Sequence, residues 1–139
     1  MKPFASRRIS IAVTEDMSVA QSAVPLRRVL FVSADADLRE VVDRVLTPQG
    51  YQVHAVAHSG HALLLCRTTQ FDVLVAELSG PDMSGPSLAG LMRRHCPGLS
   101  VVYLGSPGTP EGVERVLVRP FTRDDLLESL EFAFHAVAA

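Results

Sequence analysis

A chain of 139 residues is long enough for one domain of ordinary size, and such a domain buries roughly two-thirds of its unfolded surface without a metal or disulfide staple. With 47% hydrophobic and 20% charged residues it is not a wholly disordered chain, and a net charge of -2 leaves no electrostatic footprint for nucleic acid or an anionic membrane. No apolar run approaches the ~20 residues of a membrane span, and Ile9–Val13, stopped by Glu15 and Asp16, is shorter than the ~7–15-residue core of a secretory signal, so a cytoplasmic protein is expected.

Residues 1–26 mix Ser, Ala, Pro and charges without a sustained period; they are expected to be a flexible tail, with a short strand at Ile9–Val13 and a second candidate start at Met17. Residues 27–139 form the domain. Val29-Leu-Phe-Val32 is a continuous apolar run suited to a strand buried on both faces. Leu38, Val41, Val42, Val45 and Leu46 then recur as one helical stripe. Asp35 is placed as its N-cap, with a metal-ligand role as the alternative, and Pro48 and Gly50 end it. Tyr51–Val56 alternates like a strand near a sheet edge. Ser59 is expected to cap a second helix running to Thr69.

Phe71–Ala76 predicts a third strand ending at Glu77, and Gly80–Gly85 a loop. Ser84 or Gly85 caps the next helix, with Pro86 in its first turn and Leu88, Leu91, Met92 and His95 on one side. Leu99–Leu104 is a fourth strand. Gly105–Pro110 is a loop, Glu111–Arg115 at most a short turn, and Val116–Val118 a fifth strand. Thr122 caps the last helix, where Asp124 and Asp125 favour the positive dipole end and Leu126, Leu127, Leu130 and Phe134 make the buried stripe. Strands alternating with helices imply a doubly wound α/β fold with a parallel sheet and right-handed crossovers. Binding in such sheets occurs at the carboxyl ends of the strands, which points to Ser33–Asp35, Glu77–Pro81, Gly105–Ser106 and Arg119–Pro120.

Those segments resemble the receiver domains of two-component response regulators over about residues 27–135. The resemblance rests on Val29–Val32 followed by Asp35 and Arg39, Gly50-Tyr51, Phe71-Asp72 before a strand ending in an acid, Pro81-x-x-x-Gly85, Pro97 before a strand, and Arg119-Pro120-Phe121 before a helix with Leu126-Leu127. It implies a flavodoxin-like five-stranded sheet in the order 2-1-3-4-5. In that family an aspartate ending the third strand takes a phosphoryl group from a histidine kinase, and two acids after the first strand hold Mg²⁺. A Thr or Ser after the fourth strand and a Lys before a Pro on the fifth contact the phosphoryl oxygens.

This sequence departs from the family at each of those positions. The acidic pair aligns with Ser33 and Ala34, the phosphoacceptor with Glu77, the hydroxyl with Gly105, which Ser106 follows, and the lysine with Arg119. The segment between the fourth and fifth strands is short by roughly two helical turns, so the fourth helix is expected to be shortened or missing. A nucleophile misplaced by about 1 Å can lose on the order of a hundredfold in rate, and loss of the metal acids removes the main counterion of the transferred group. Mg²⁺ binding is therefore expected to be weak or lost, with no other cofactor. Arg119 is expected either to hold Glu77 in a bidentate fork that locks one conformation, or simply to have drifted with it. A missing helix leaves Val113, Val116, Val118, Phe121 and the final helix as an expected interaction surface, with a shortened loop that folds down and seals the gap as the alternative.

The remaining constellations have bland explanations. His58 and His61 form a polar helix start, with a metal site as the alternative. Asp72 tethers a turn, Asp82 serves a turn or offers a carboxylate to the site, and Arg93-Arg94-His95 ends a helix. Cys66 and Cys96 are expected to be buried free thiols, with a redox pair as the alternative. The expectation is a stand-alone, non-enzymatic pseudo-receiver acting through a protein partner, either a histidine kinase or another regulator, or through a homodimer. No nucleic-acid or membrane partner is expected. The alternatives are a residual phosphorelay receiver and a flavodoxin-like domain for a small ligand.

Overall fold

A computed structural model describes residues 27–80, 82–108 and 115–138. Five parallel strands, β1 (Arg27–Val32), β2 (Tyr51–Val56), β3 (Val73–Glu77), β4 (Ser100–Gly105) and β5 (Val116–Val118), form one sheet in the order β2-β1-β3-β4-β5. Four α-helices accompany them: α1 (Ala36–Leu46), α2 (Ser59–Cys66), α3 (Gly85–Met92) and α4 (Arg123–Ala138). The flavodoxin-like order is the one the resemblance implied.

The apolar runs of β1 and β3 are explained by their central place. Val29, Leu30 and Phe31 are fully buried, and so are Val73, Leu74 and Val75, because helices cover both faces of a parallel sheet. Alternation divides these side chains between two cores. Leu30, Leu74, Val101 and Tyr103 pack under α2 and α3 with Ala62, Leu88 and Met92. Val29, Phe31, Val75 and Leu104 pack under α1 and α4 with Val42, Leu46, Leu126 and Leu130.

Helix boundaries follow their caps. Asp35 accepts from the N–H groups of Asp37 and Leu38, at 3.0 and 3.2 Å. Ser84 caps α3, and Thr122 and Asp125 exchange reciprocal side-chain-to-backbone bonds at the start of α4. At α2 the sequence reading needs correction. The N-cap is His58, whose Nδ1 accepts from the His61 N–H, while Ser59 lies inside the helix, which ends at Cys66. Two apolar stripes are also narrower than the spacing predicted. Val41 is largely exposed while Val42 and Leu46 are buried, and His95 lies past the end of α3 and is exposed. Cys66 and Cys96 are free and buried; burial, with Cys96 nearby, pushes the Cys66 thiol up and favours its unreactive neutral form.

Only positions 106–115 separate β4 from β5. Among the described residues no helix lies between them. Pro81, Val113, most of the Glu111–Arg115 turn and the tail 1–26 lie outside the described residues. Val116 is partly buried against the first core, and Phe121 against the second. Val118 is exposed.

Candidate functional site

Parallel register brings four strand ends to one level. Val32 pairs with Ala76, Glu77 with Leu104, and Gly105 with Val118. Ser33, Glu77, Gly105 and Arg119 therefore meet at the carboxyl edge of the sheet, where the sequence reading placed them. The Arg119–Pro120 peptide bond that follows β5 is cis.

Glu77 is the centre of this arrangement. Its Oε2 accepts from the Ser33 hydroxyl at 3.0 Å and from Arg119 Nη2 at 2.5 Å. Both donors converge on one oxygen, so the bidentate fork is not formed. The Glu77 side chain is only 18% exposed, against 37% for Arg119, which makes this a partly buried, charge-assisted contact rather than a surface pair.

The Ser33 hydroxyl is fully engaged. It donates to Glu77 and accepts from the Asp35 N–H at 3.2 Å, and its residue is 2% exposed. Arg39 Nη1 donates to the Ser33 carbonyl at 2.8 Å and so sets a guanidinium at the same strand end. Ala34 and Asp35 are exposed beside it, but the Asp35 carboxylate is committed to capping α1.

Two cavities flank Glu77. One of about 290 Å³ is lined by Ser79, Gly105, Ser106, Gly108 and Arg119. The other, about 10 Å³, lies among Ser33, Ser59, Gly80 and Asp82 and is just large enough for one water.

Asp82 does more than hold its own turn. Its carboxylate accepts from the Ser59 N–H at 3.1 Å and the Ser59 hydroxyl at 3.2 Å, tying the β3–α3 loop to the start of α2. Burial alone would raise the Asp82 carboxyl; bonds from the Ser59 and Asp82 N–H groups and the Ser59 hydroxyl, with His58 nearby, outweigh it and hold it below its ordinary value. A depressed carboxyl contributes stability above its unfolded pKa of about 3.9 that is lost as pH falls through the lower folded value. Asp82→Asn is therefore expected to flatten the acid limb of the stability curve. Urea unfolding of both proteins from neutral pH down to about pH 2.5 measures this; parallel curves would mean the Ser59 contacts carry no linkage.

Other candidates fall away from the site. Asp72 accepts from the Arg28 N–H at the opposite end of the sheet, and Arg93 binds the Leu99 carbonyl. Among the described residues no group of three or more His, Cys, Asp or Glu side chains is placed to hold a metal ion. The donor set at the strand ends does not fit Mg²⁺ either. That ion needs near-octahedral oxygen coordination, whereas among the described residues the Glu77 carboxylate is held by Ser33 and Arg119 and the Asp82 carboxylate by Ser59. Sequence reasoning missed the Ser33–Glu77 bond because it treated Ser33 as an absent acid. The signal was a hydroxyl directly after β1, opposite an acid ending β3.

The family model for the response regulator receiver domain matches residues 29–131. The chain belongs to the response regulator receiver family. This receiver is 28% identical over 110 residues to the DNA-binding transcriptional regulator NtrC of Proteus hauseri, covering 73% of this chain and 23% of that protein. It is 27% identical over 134 residues to the sensor histidine kinase AruS of Pseudomonas aeruginosa, covering 88% of this chain and 13% of that protein. The chain thus spans about a quarter or less of these two relatives. Among solved structures, the Vibrio cholerae chemotaxis protein CheY4 superposes with a TM-score of 0.71 at 25% identity, covering 78% of this receiver and 98% of that chain. Membership sets aside the unrelated small-ligand domain. No described helix is long and apolar enough to cross a membrane.

Proposed function

We propose that this receiver signals by protein–protein contact without aspartyl phosphorylation, its phosphoryl switch replaced by a fixed Glu77–Arg119–Ser33 contact. The observation that carries the reading is the Glu77 carboxylate, already held by the two donors on its flanks. A phosphoaspartate offers anionic oxygens further from the backbone than an aspartate does, and the extra methylene of Glu77 advances its carboxylate in the same direction. Arg119 supplies a permanent cation to meet it.

Two features support loss of the original chemistry. The β1 end offers a buried serine and an alanine in place of a metal-binding acid pair, and the Arg39 guanidinium adds positive charge where a divalent cation would approach. The domain is non-enzymatic in this reading, uses no cofactor and works in the cytoplasm. Its partner is a histidine kinase or another regulator, or a second copy of itself.

Amide NMR of the purified protein titrated with Mg²⁺, then with beryllofluoride added, tests this. No shift is expected at Ser33–Asp35, Glu77 or Arg119, whereas Glu77→Ala should shift Ser33, Arg119 and the β4–β5 end of the sheet. Saturable shifts with beryllofluoride would reinstate a working phosphorelay receiver. A silent Glu77→Ala spectrum beyond its immediate neighbours would reduce the contact to drift.

A further inference from the structure

The two edges of the sheet are built differently. β5 is three residues long and runs directly into Arg119 and Pro120, and so short an edge offers little to a further strand. β2 is six residues long, contains no Pro, Lys, Arg, Asp or Glu, and keeps an unbroken register with β1. The common protections of a sheet edge are therefore missing from it. Among the described residues nothing pairs with its outer side. Val56 accepts from the Ser33 N–H on the β1 side. Alternation therefore turns the backbone groups of Tyr51, Val53 and Ala55 outward.

An apolar surface lies against this edge. On one face of the sheet α1 packs over β2, and α4 over β3, β4 and β5. Arg39, on one flank of α1, reaches the Ser33 carbonyl at the end of β1. Leu38, Val41 and Val45 recur at helical spacing along the opposite flank, the side turned away from β1 towards the outer edge of β2. Val41 is 47% exposed there, and Leu38, Val45 and the Val53 of β2 are only partly buried.

We infer that residues 9–13 of this same chain pair with β2 as an antiparallel edge strand, Ile11 opposite Val53. Ile9-Ser-Ile-Ala-Val13 alternates β-branched with small residues and carries no charge. Residues directly opposite share a face, so this register sets Ile9, Ile11 and Val13 beside Ala55, Val53 and Tyr51, on the side of Val41. A slip of one residue would turn all three to the face of Gln52 and His54. The origin of the segment is also correctly placed. The chain enters β1 at Arg27, and an antiparallel strand outside β2 finishes at that same end of the sheet. It lies about 10 Å from β1, and residues 14–26 reach about 40 Å when extended. An antiparallel edge strand on an otherwise parallel sheet is a common arrangement in folds of this class. Residues 109–114, also outside the described residues, join β4 to β5 at the opposite edge and do not compete for this one. The inference does not depend on the Glu77–Arg119 contact.

Amide hydrogen exchange of the full chain, with and without Ile11→Pro, tests this. Val53 and Ala55 N–H groups, open to solvent on a bare edge, are expected to exchange at least about tenfold more slowly in the parent than in the variant. Exchange at Val29–Phe31 and Val73–Val75 should be the same in both, because the central strands do not need the added one. Methyl NOEs between Ile11 and Val41 should appear in the parent. Equal exchange at Val53 and Ala55 in the two proteins, or no Ile11–Val41 contact, would overturn the inference. Contacts seen only between differently labelled copies, or protection that survives Ile11→Pro and grows with protein concentration, would assign the edge to a second copy and overturn it equally.

Discussion

Gly85→Ala is expected to destabilise the domain by about 1–3 kcal/mol, the range for overpacking a well-filled site, and to displace Glu77. A Cβ on Gly85 would lie 2.7 Å from the Glu77 backbone oxygen and 2.7 Å from Cδ1 of Tyr103. Neither neighbour can yield cheaply. Glu77 ends a central strand paired with Leu104, and Tyr103 is 2% exposed. Gly85 itself is fixed by its N–H bond to the Leu78 carbonyl at 3.0 Å. The strand must therefore move, and the Glu77 carboxylate with it. Gly90→Ala is the control. It lies in the same helix with nothing within 4 Å of a Cβ, so replacing it should stabilise by about 0.5–1 kcal/mol. Urea midpoints at constant slope separate the two signs; equal midpoints would show that the β3–α3 loop yields freely and does not position Glu77.

That close approach explains why part of the site was legible in the sequence and part was not. Strand ends were readable because buried parallel strands leave continuous apolar runs, and the first polar residue after each run, Ser33, Glu77 or Arg119, marks the edge where the chemistry sits. Capping was readable at Asp35 and Thr122, where an acid or hydroxyl precedes a periodic stripe. It failed at His58, since a histidine Nδ1 accepts a hydrogen bond only in the right tautomer and rotamer, which no pattern encodes. Contacts between segments distant in sequence were invisible for a different reason. That Asp82 reaches Ser59, or that Arg119 meets Glu77 through one nitrogen rather than two, depends on loop placement to within about an ångström. Val41 shows the same limit in the core, because a stripe read by period alone does not say how wide a face the sheet covers.

The triple variant Ser33→Asp, Ala34→Asp, Glu77→Asp is expected to gain Mg²⁺-dependent stability that the parent lacks. Without metal it should be less stable than the parent. It loses the Ser33–Glu77 bond, and it sets a new carboxylate at position 33, a site 2% exposed, close to the one at 77. Like charges confined there disfavour ionisation, and an unpaired buried carboxylate costs at least about 1–3 kcal/mol. Mg²⁺ reverses the sign of that crowding, because the same carboxylates become its ligands. Binding to the folded state alone adds about 2.7 kcal/mol at a hundredfold excess over Kd, enough to raise the thermal midpoint by several degrees in a domain of this size. The single variant Glu77→Asp should show no such rise, since one carboxylate without the β1 acids does not make the site. Thermal unfolding of the three proteins across a Mg²⁺ series decides the matter. A rise confined to the triple variant would place the loss of metal binding in Ser33 and Ala34. A triple variant blind to Mg²⁺ would move the cause to Arg39, whose guanidinium donates to the backbone carbonyl of position 33 in the parent and whose charge would then be what keeps the cation away.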